Sequence, residues 1–176
     1  MEFFHGPRAL KDIGDYCAIR FKLFLLVSYF DKTFDEDDFL DGAKQAVSYV
    51  STKISEGKVN DLADVLTSEG IQSSRDLLQE FYRNPDILKV DVNEIINLYV
   101  NDVGLVYLES GEKHAKVLVK VNCTTSNLKR MKHGNFEVTI MPTRLLTYSF
   151  HRDCTPGCDD KGWYIDRLKH FNMPGF

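Results

Sequence analysis

Residues 29–54 read YFDKTFDEDDFLDGAKQAVSYVSTKI. Thr33 and Asp35 each offer a side-chain oxygen that can cap a helix. Glu36, Asp37 and Asp38 then set negative charge against the positive end of its dipole. Phe39, Ala43, Ala46, Val47, Val50 and Ile54 recur at helical spacing and make one apolar face. Gly57 follows as a residue able to take the left-handed turn that closes a helix. The spacing predicts an amphipathic helix packed on a core, with the acidic run as its solvated start.

Toward the C-terminus, a shorter helix is expected over 60–66 and another over 73–82, closed by Asn84 and Pro85. Beyond Pro85 the period changes from helix to strand. Strands are expected at 90–92, 95–100, 104–109 and along the alternating run 115–123, with Ser110-Gly111 as a hairpin turn. A strand over 136–150, kinked near Pro142 because proline cannot donate within a central ladder, and a last one over 163–171 complete the series. Helices first and mainly antiparallel strands after is an α+β order, and a long curved sheet around the Phe39 helix would bury the core. With no repeat or linker in view, residues 1–34 are read as an N-terminal helical extension and 35–176 as one α+β domain.

Upstream lies IGDYCAIRFKLFLLVSYF, residues 13–30. On a helix Ile13, Tyr16, Cys17, Arg20, Phe24 and Val27 share one side, and Phe21, Leu25 and Leu26 widen the apolar surface. Its densest part, residues 23–30, is far too short to cross a bilayer, which takes about 20 apolar residues. It can dock on the domain, pack on a partner, or lie in a membrane interface with Arg20, Lys22 and Lys32 near headgroups. Phe21, Phe24, Leu25 and Phe30, flanked by those three cations, are the expected contact surface. Residues 1–10 show neither the apolar segment of a secretory signal nor the basic, acid-poor character of a transit peptide. A protein imported into an organelle would therefore be represented here by a mature or shortened form.

The formal net charge of −4 argues against a dedicated nucleic-acid binder, which presents a basic surface. Cys17, Cys123, Cys154 and Cys158 are scattered, which suits free thiols in a reducing compartment rather than a disulfide framework. His151, Cys154 and Cys158 offer three donors to zinc, but a closed site needs a fourth, from Asp153, Asp159 or elsewhere. A Cys154–Cys158 disulfide, or a plain Pro- and Gly-rich connection, explains the same loop. Neither a metal nor another cofactor is expected. His114, His133, His151 and His170 fall on or beside predicted strands, where histidines are more often structural. No nucleophile elbow, phosphate loop or dinucleotide fingerprint occurs, so catalysis is not expected. The basic run at 129–133 reads as a solvated loop, with Lys129, Arg130 and Lys132 as a second candidate contact for an anionic surface.

Tyr29-Phe30-Asp31-Lys32, Phe34, Phe39 and Gly42-Ala43-Lys44-Gln45-Ala46 together resemble the opening of a mitochondrial domain family, that of the C-terminal domain of inner-membrane-translocase subunit 44. The likeness extends to the closing strand pair, residues 146–152 and 162–168. It implies a cone of helices against a strongly curved antiparallel sheet, similar to nuclear transport factor 2. It also implies a non-enzymatic protein peripheral to the matrix face of the inner membrane. Among members, those that bind the matrix AAA protease fit this net-acidic chain better than import-motor anchors or mitoribosomal proteins, which tend to be basic. The implied partners are AAA protease subunits, the inner membrane surface, and client proteins such as the regulatory subunit of the calcium uniporter, with no nucleic acid. A second class stays open: an enzyme or binding protein for a small molecule, using the cavity of the cone.

Overall fold

In the computed structural model, helix α1 (Gly6–Leu25) runs without a break into a π turn (Leu26–Phe30). Helices α2 (Glu36–Ser55) and α3 (Ser68–Glu80) follow. The strands are β1 (Ile95–Tyr107), β2 (Lys113–Thr124), β3 (Lys129–His133), β4 (Phe136–Ile140), β5 (Thr143–Asp153) and β6 (Tyr164–Asn172). The structure describes the backbone of residues 6–124, 129–133, 136–140, 143–158 and 162–172, with side chains for 13–124, 143–158 and 162–171. The α+β order expected from the sequence holds.

Both ends of α2 form as its residues dictate. The Asp35 carboxylate accepts from the Asp38 backbone N–H at 2.9 Å, so Asp35 rather than Thr33 is the cap. At the far end Gly57 takes φ +73°, and Lys58 N–H closes on the Lys53 carbonyl. Phe39, Ala43, Val47, Val50 and Ile54 are buried in one core with Ala115, Val117, Val119 and Val121 of β2 and Leu146, Tyr148 and Phe150 of β5. Alternation along β2 and β5 supplies these core residues, because successive side chains in a strand point to opposite faces. Phe39 meets Phe150 and Trp163 edge-on at 5.3 and 5.0 Å, a favoured aromatic geometry.

The four-stranded antiparallel sheet has the order β1-β2-β5-β6. Strands β3 and β4 form a separate two-stranded ribbon inserted between β2 and β5. Several expectations are corrected here. The run at 129–133 is a strand of that ribbon, not a loop. The long strand expected over 136–150 is two, β4 and β5, which belong to different sheets, and the kink expected near Pro142 lies outside the described residues. The two short strands at 95–100 and 104–109 are one, β1, whose register with β2 slips between Ile95 and Asn97 and again between Val100 and Asp102. Bulges at these points break the alternation and hide its continuity. The helix at 60–66 is only a 3-10 turn (Val59–Leu62), and 90–92 runs into another (Val92–Glu94) rather than forming a strand.

Helix α3 begins five residues earlier than its pattern suggests, capped by Thr67, whose hydroxyl accepts from Gly70 N–H. It lies close against β6: Thr67 N–H bonds the Ile165 carbonyl, and Ile165 N–H bonds that of Val65. The segment before α3 thereby covers part of the β6 edge. On the other side, Arg144 of β5 is buried and donates to the carbonyls of Ile87 and Lys89, tying the 85–89 connection to the sheet.

The corner between α1 and α2 is held by Asp31, itself buried. One carboxylate oxygen accepts from the backbone and hydroxyl of Thr33, and the other from Arg152 of β5 at 2.8 Å. Breaking a buried ion pair leaves the second charge stranded, which typically costs 3–5 kcal/mol. Asp31→Ala is therefore expected to lower stability by about 3 kcal/mol. Asp31→Asn, which keeps the Thr33 contacts, should lose about half as much, both read from urea unfolding midpoints.

Candidate functional site

Helix α1 carries two apolar stripes. Ile19, Leu23 and, in the π turn, Leu26 face inward and join the core, with Leu26 fully buried. Ile13, Tyr16, Cys17, Phe24 and Val27 recur at helical spacing on another side, with Phe21 at its edge, and all are exposed. Phe21 and Phe24 stand 60% and 62% open to solvent, values at which a phenyl ring gains little from folding. Docking uses one stripe, and the other faces outward.

The sequence-selected residues divide accordingly. Phe21 and Phe24 lie on the outer surface as expected. Leu25 and Phe30 do not: Leu25 is half-buried on the flank of the helix, and Phe30 packs against the core with the Lys113 ammonium 5.9 Å from its ring centre. The π turn, which closes with Asp31 N–H on the Leu26 carbonyl, carries Phe30 inward and leaves Tyr29 exposed. Lys32 is exposed. The other two expected cations are engaged. Arg20 is bound to Glu36 at 2.5 Å and Lys22 to Asp102 at 2.7 Å. The side chains of Lys129, Arg130 and Lys132 lie outside the described residues.

Residues the sequence reading did not select extend this surface. A groove of about 400 Å³ runs between α2 and the start of β1, lined by Leu40, Ile96 and Leu98 with Asp37, Asp41 and Lys44. Ile96 is 63% exposed because the bulge beside it turns it out of the ladder. The only signal in the sequence was an apolar pair, Ile95-Ile96, where strict alternation calls for one. Glu36 at the start of α2 bonds Arg20 of α1, and the next residue, Asp37, lines the groove.

The groups considered for chemistry are placed differently. His151 does not approach the two cysteines as a ligand. It stacks on His114, ring centres 5.4 Å apart, and burial lowers its pKa. Cys154 donates to the Arg152 carbonyl and Cys158 to Asp153, and both are free thiols. Among the described residues, no three His, Cys, Asp or Glu side chains are arranged to hold a metal ion. Asp166 bonds Lys116 at 2.6 Å and Thr67 at 3.3 Å. Burial works to raise its pKa, but the Lys116 hydrogen bond and charge outweigh it and hold the carboxyl low.

His170 is buried and shares a 3.0 Å hydrogen bond with Tyr148, while its Nδ1 has no partner among the described residues. Desolvation, helped by the positive charge of Arg144, lowers its pKa to about 3. A base that stays uncharged in the fold but takes a proton when unfolded below about pH 6.5 makes stability fall with acidity. Its contribution is complete above that pH and drops by about 1.4 kcal/mol per unit until the folded group itself titrates near 3. Unfolding at pH 7 and pH 5 should therefore differ by about 2 kcal/mol from this group, a difference that His170→Gln removes.

No family model matches the chain. Curated relatives do match. The rat and human proteins named "m-AAA protease-interacting protein 1, mitochondrial" are 29% and 28% identical over 171 residues, covering 90% of this chain. The chain spans 58% of the length of those relatives. Among solved structures, an IcmL-like type IV secretion system protein from Legionella pneumophila aligns with 81% of this chain and 96% of its own, at 14% identity and a TM-score of 0.37. A periplasmic fragment of TraM aligns with 80% and 100%, at 13% identity and 0.41. Likeness at that level carries no argument about fold or function. The chain is thus similar, along most of its length, to mitochondrial proteins named for interaction with the m-AAA protease. Among the described residues no helix is long and apolar enough to cross a membrane.

Proposed function

We propose that this chain is a non-enzymatic adaptor that binds the matrix AAA protease at the matrix face of the mitochondrial inner membrane. The single observation that carries the reading is the second apolar stripe of α1, exposed on a helix already anchored by Leu23, Leu26 and the Asp31–Arg152 pair. A helix fixed in place with large aromatic side chains open to water is suited to a partner. The names of the relatives point to the m-AAA protease as that partner. On this reading the α+β domain is a cone like that of nuclear transport factor 2, as in the translocase-subunit-44 family. It serves as a rigid mount, peripheral to the membrane. Its work would be support of protease assembly and of client biogenesis, including the calcium uniporter's regulatory subunit. Import-motor anchoring or mitoribosome reception would be the same scaffold with a different partner.

The test is co-purification. The tagged protein is recovered from mitochondria solubilised in mild detergent, and AAA protease subunits are expected in stoichiometric amounts. Recovery of mitoribosomes or the import chaperone in their place would overturn the assignment.

A further inference from the structure

The outer stripe of α1 and the groove at its side have a charge pattern that discriminates between occupants. Residues 35–41 hold Asp35, Glu36, Asp37, Asp38 and Asp41. Asp35 is spent on the helix cap and Glu36 on Arg20. Asp37, Asp38 and Asp41 are exposed and make no ion pair among the described residues. Three carboxylates exceed the roughly half-unit positive charge of the helix end they surround, so this end of the surface is net negative. Against them stand Lys44, which lines the groove with Asp37 and Asp41, and the exposed Lys32, while Arg20 and Lys22 are each matched by a carboxylate, so three carboxylates face two cations.

From this pattern we infer that the surface formed by the outer face of α1 and the α2–β1 groove receives a basic amphipathic segment of a partner protein, not an anionic lipid surface. The inference rests on the adaptor reading and names the chemistry of its partner. Apolar side chains of the segment lie on Phe21, Phe24 and Val27 and enter the groove beside Leu40, Ile96 and Leu98. Its cations meet Asp37 and Asp41. An apolar anchor in a pocket with opposite charge at the rim is how amphipathic helices are commonly held. Anionic bilayers attract each exposed Lys or Arg by about 1 kcal/mol, and carboxylates at the same depth are repelled. Surface ion pairs are weak enough for a lipid phosphate to draw Arg20 or Lys22 away. Each departure would expose another carboxylate and leave the net charge unchanged.

The experiment uses the purified chain with three probes: a fluorescent Leu/Lys amphipathic peptide of about 18 residues, its Leu/Glu counterpart, and lipid vesicles with and without phosphatidylglycerol. The Leu/Lys peptide is expected to bind at least about tenfold tighter than the Leu/Glu peptide, with affinity falling as salt is raised. Asp37→Asn with Asp41→Asn should weaken it about threefold or more, and Phe24→Ala with Ile96→Ala should weaken it about tenfold. None of these four side chains is buried in the core, and unchanged thermal unfolding of the variants confirms that the loss is local. Equal binding of the two peptides, indifference to the Asp variants, or preferential sedimentation with phosphatidylglycerol vesicles would overturn the inference. If the protease co-purifies from mitochondria but the Leu/Lys peptide does not bind, the inference falls and the adaptor reading stands. If the peptide binds but no protease is recovered, the adaptor reading is the one that fails.

Discussion

Replacing Phe21 and Phe24 together with aspartate is expected to abolish recovery of the protease while leaving the fold intact. Both rings stand well over half exposed, so the folded state loses little when they go. A surface substitution away from the core usually changes stability by less than about 0.5 kcal/mol. At an interface the same rings are anchors. Losing a buried aromatic costs about 2 kcal/mol or more, and placing a carboxylate in an apolar contact adds desolvation. Two such sites should reduce affinity by at least about a hundredfold. The check is co-purification beside thermal unfolding of the same variant. Loss of binding with unchanged unfolding locates the contact on the outer face of α1. Loss of both would mean that these rings support the core, and undiminished binding would move the contact elsewhere.

A large loss of stability is expected from the smallest change, Gly70→Ala. A methyl group at Gly70 would sit 2.3 Å from the Ile165 carbonyl oxygen and 3.2 Å from Leu66 Cβ. In an isolated helix the substitution would gain about 1 kcal/mol, because glycine is a poor helix former. Here the obstacle is backbone, which cannot swing aside as a side-chain end can. Relief requires α3 to move off β6, stretching the bonds from Thr67 to Ile165 and from Ile165 to Val65. Overpacking of this kind costs about 1–3 kcal/mol and the lost backbone bonds add to it, so a net loss of about 2 kcal/mol is expected. That corresponds to a fall in Tm of about 4–8 °C for a chain of this size. Gly42→Ala is the control. It lies within α2 with nothing inside 4 Å of the added methyl, and should stabilise by about 0.5–1 kcal/mol. Opposite signs for one chemical change would assign the effect to the α3–β6 approach.

The same glycine explains part of what the sequence concealed. Gly70, Ser73 and Ser74 weaken the helical signal just where α3 begins, and the reason for them is tertiary: Gly70 admits β6, Ser74 is buried and donates back to the Gly70 carbonyl, and Ser73 accepts from Leu168 N–H. Helix α2 was legible from end to end because its cap, its acidic first turn and its closing glycine act within a few residues. Strand β1 was not, since two bulges interrupt the period on which strands are recognised. At the candidate site, the sequence showed that α1 is apolar over a wide arc. Which part of that arc docks is decided by β1 and β2, far along the chain. Likewise Arg20 and Lys22 read as free cations because their partners, Glu36 and Asp102, are 16 and 80 residues away. The groove beside α2 depends on a bulge at Ile96 and could not be seen without the register.

Asp31 holds the corner from which α1 projects, bonded to Thr33 on one side and Arg152 on the other. On the adaptor reading, a helix already fixed in this way loses little freedom on meeting a partner, so association need not wait for it to fold or reorient. Rates of encounter should then be similar among related partners. How long each complex lasts would then be set by the quality of its packing against Phe21 and Phe24, so on that reading residence time is the quantity through which this face would select its partners.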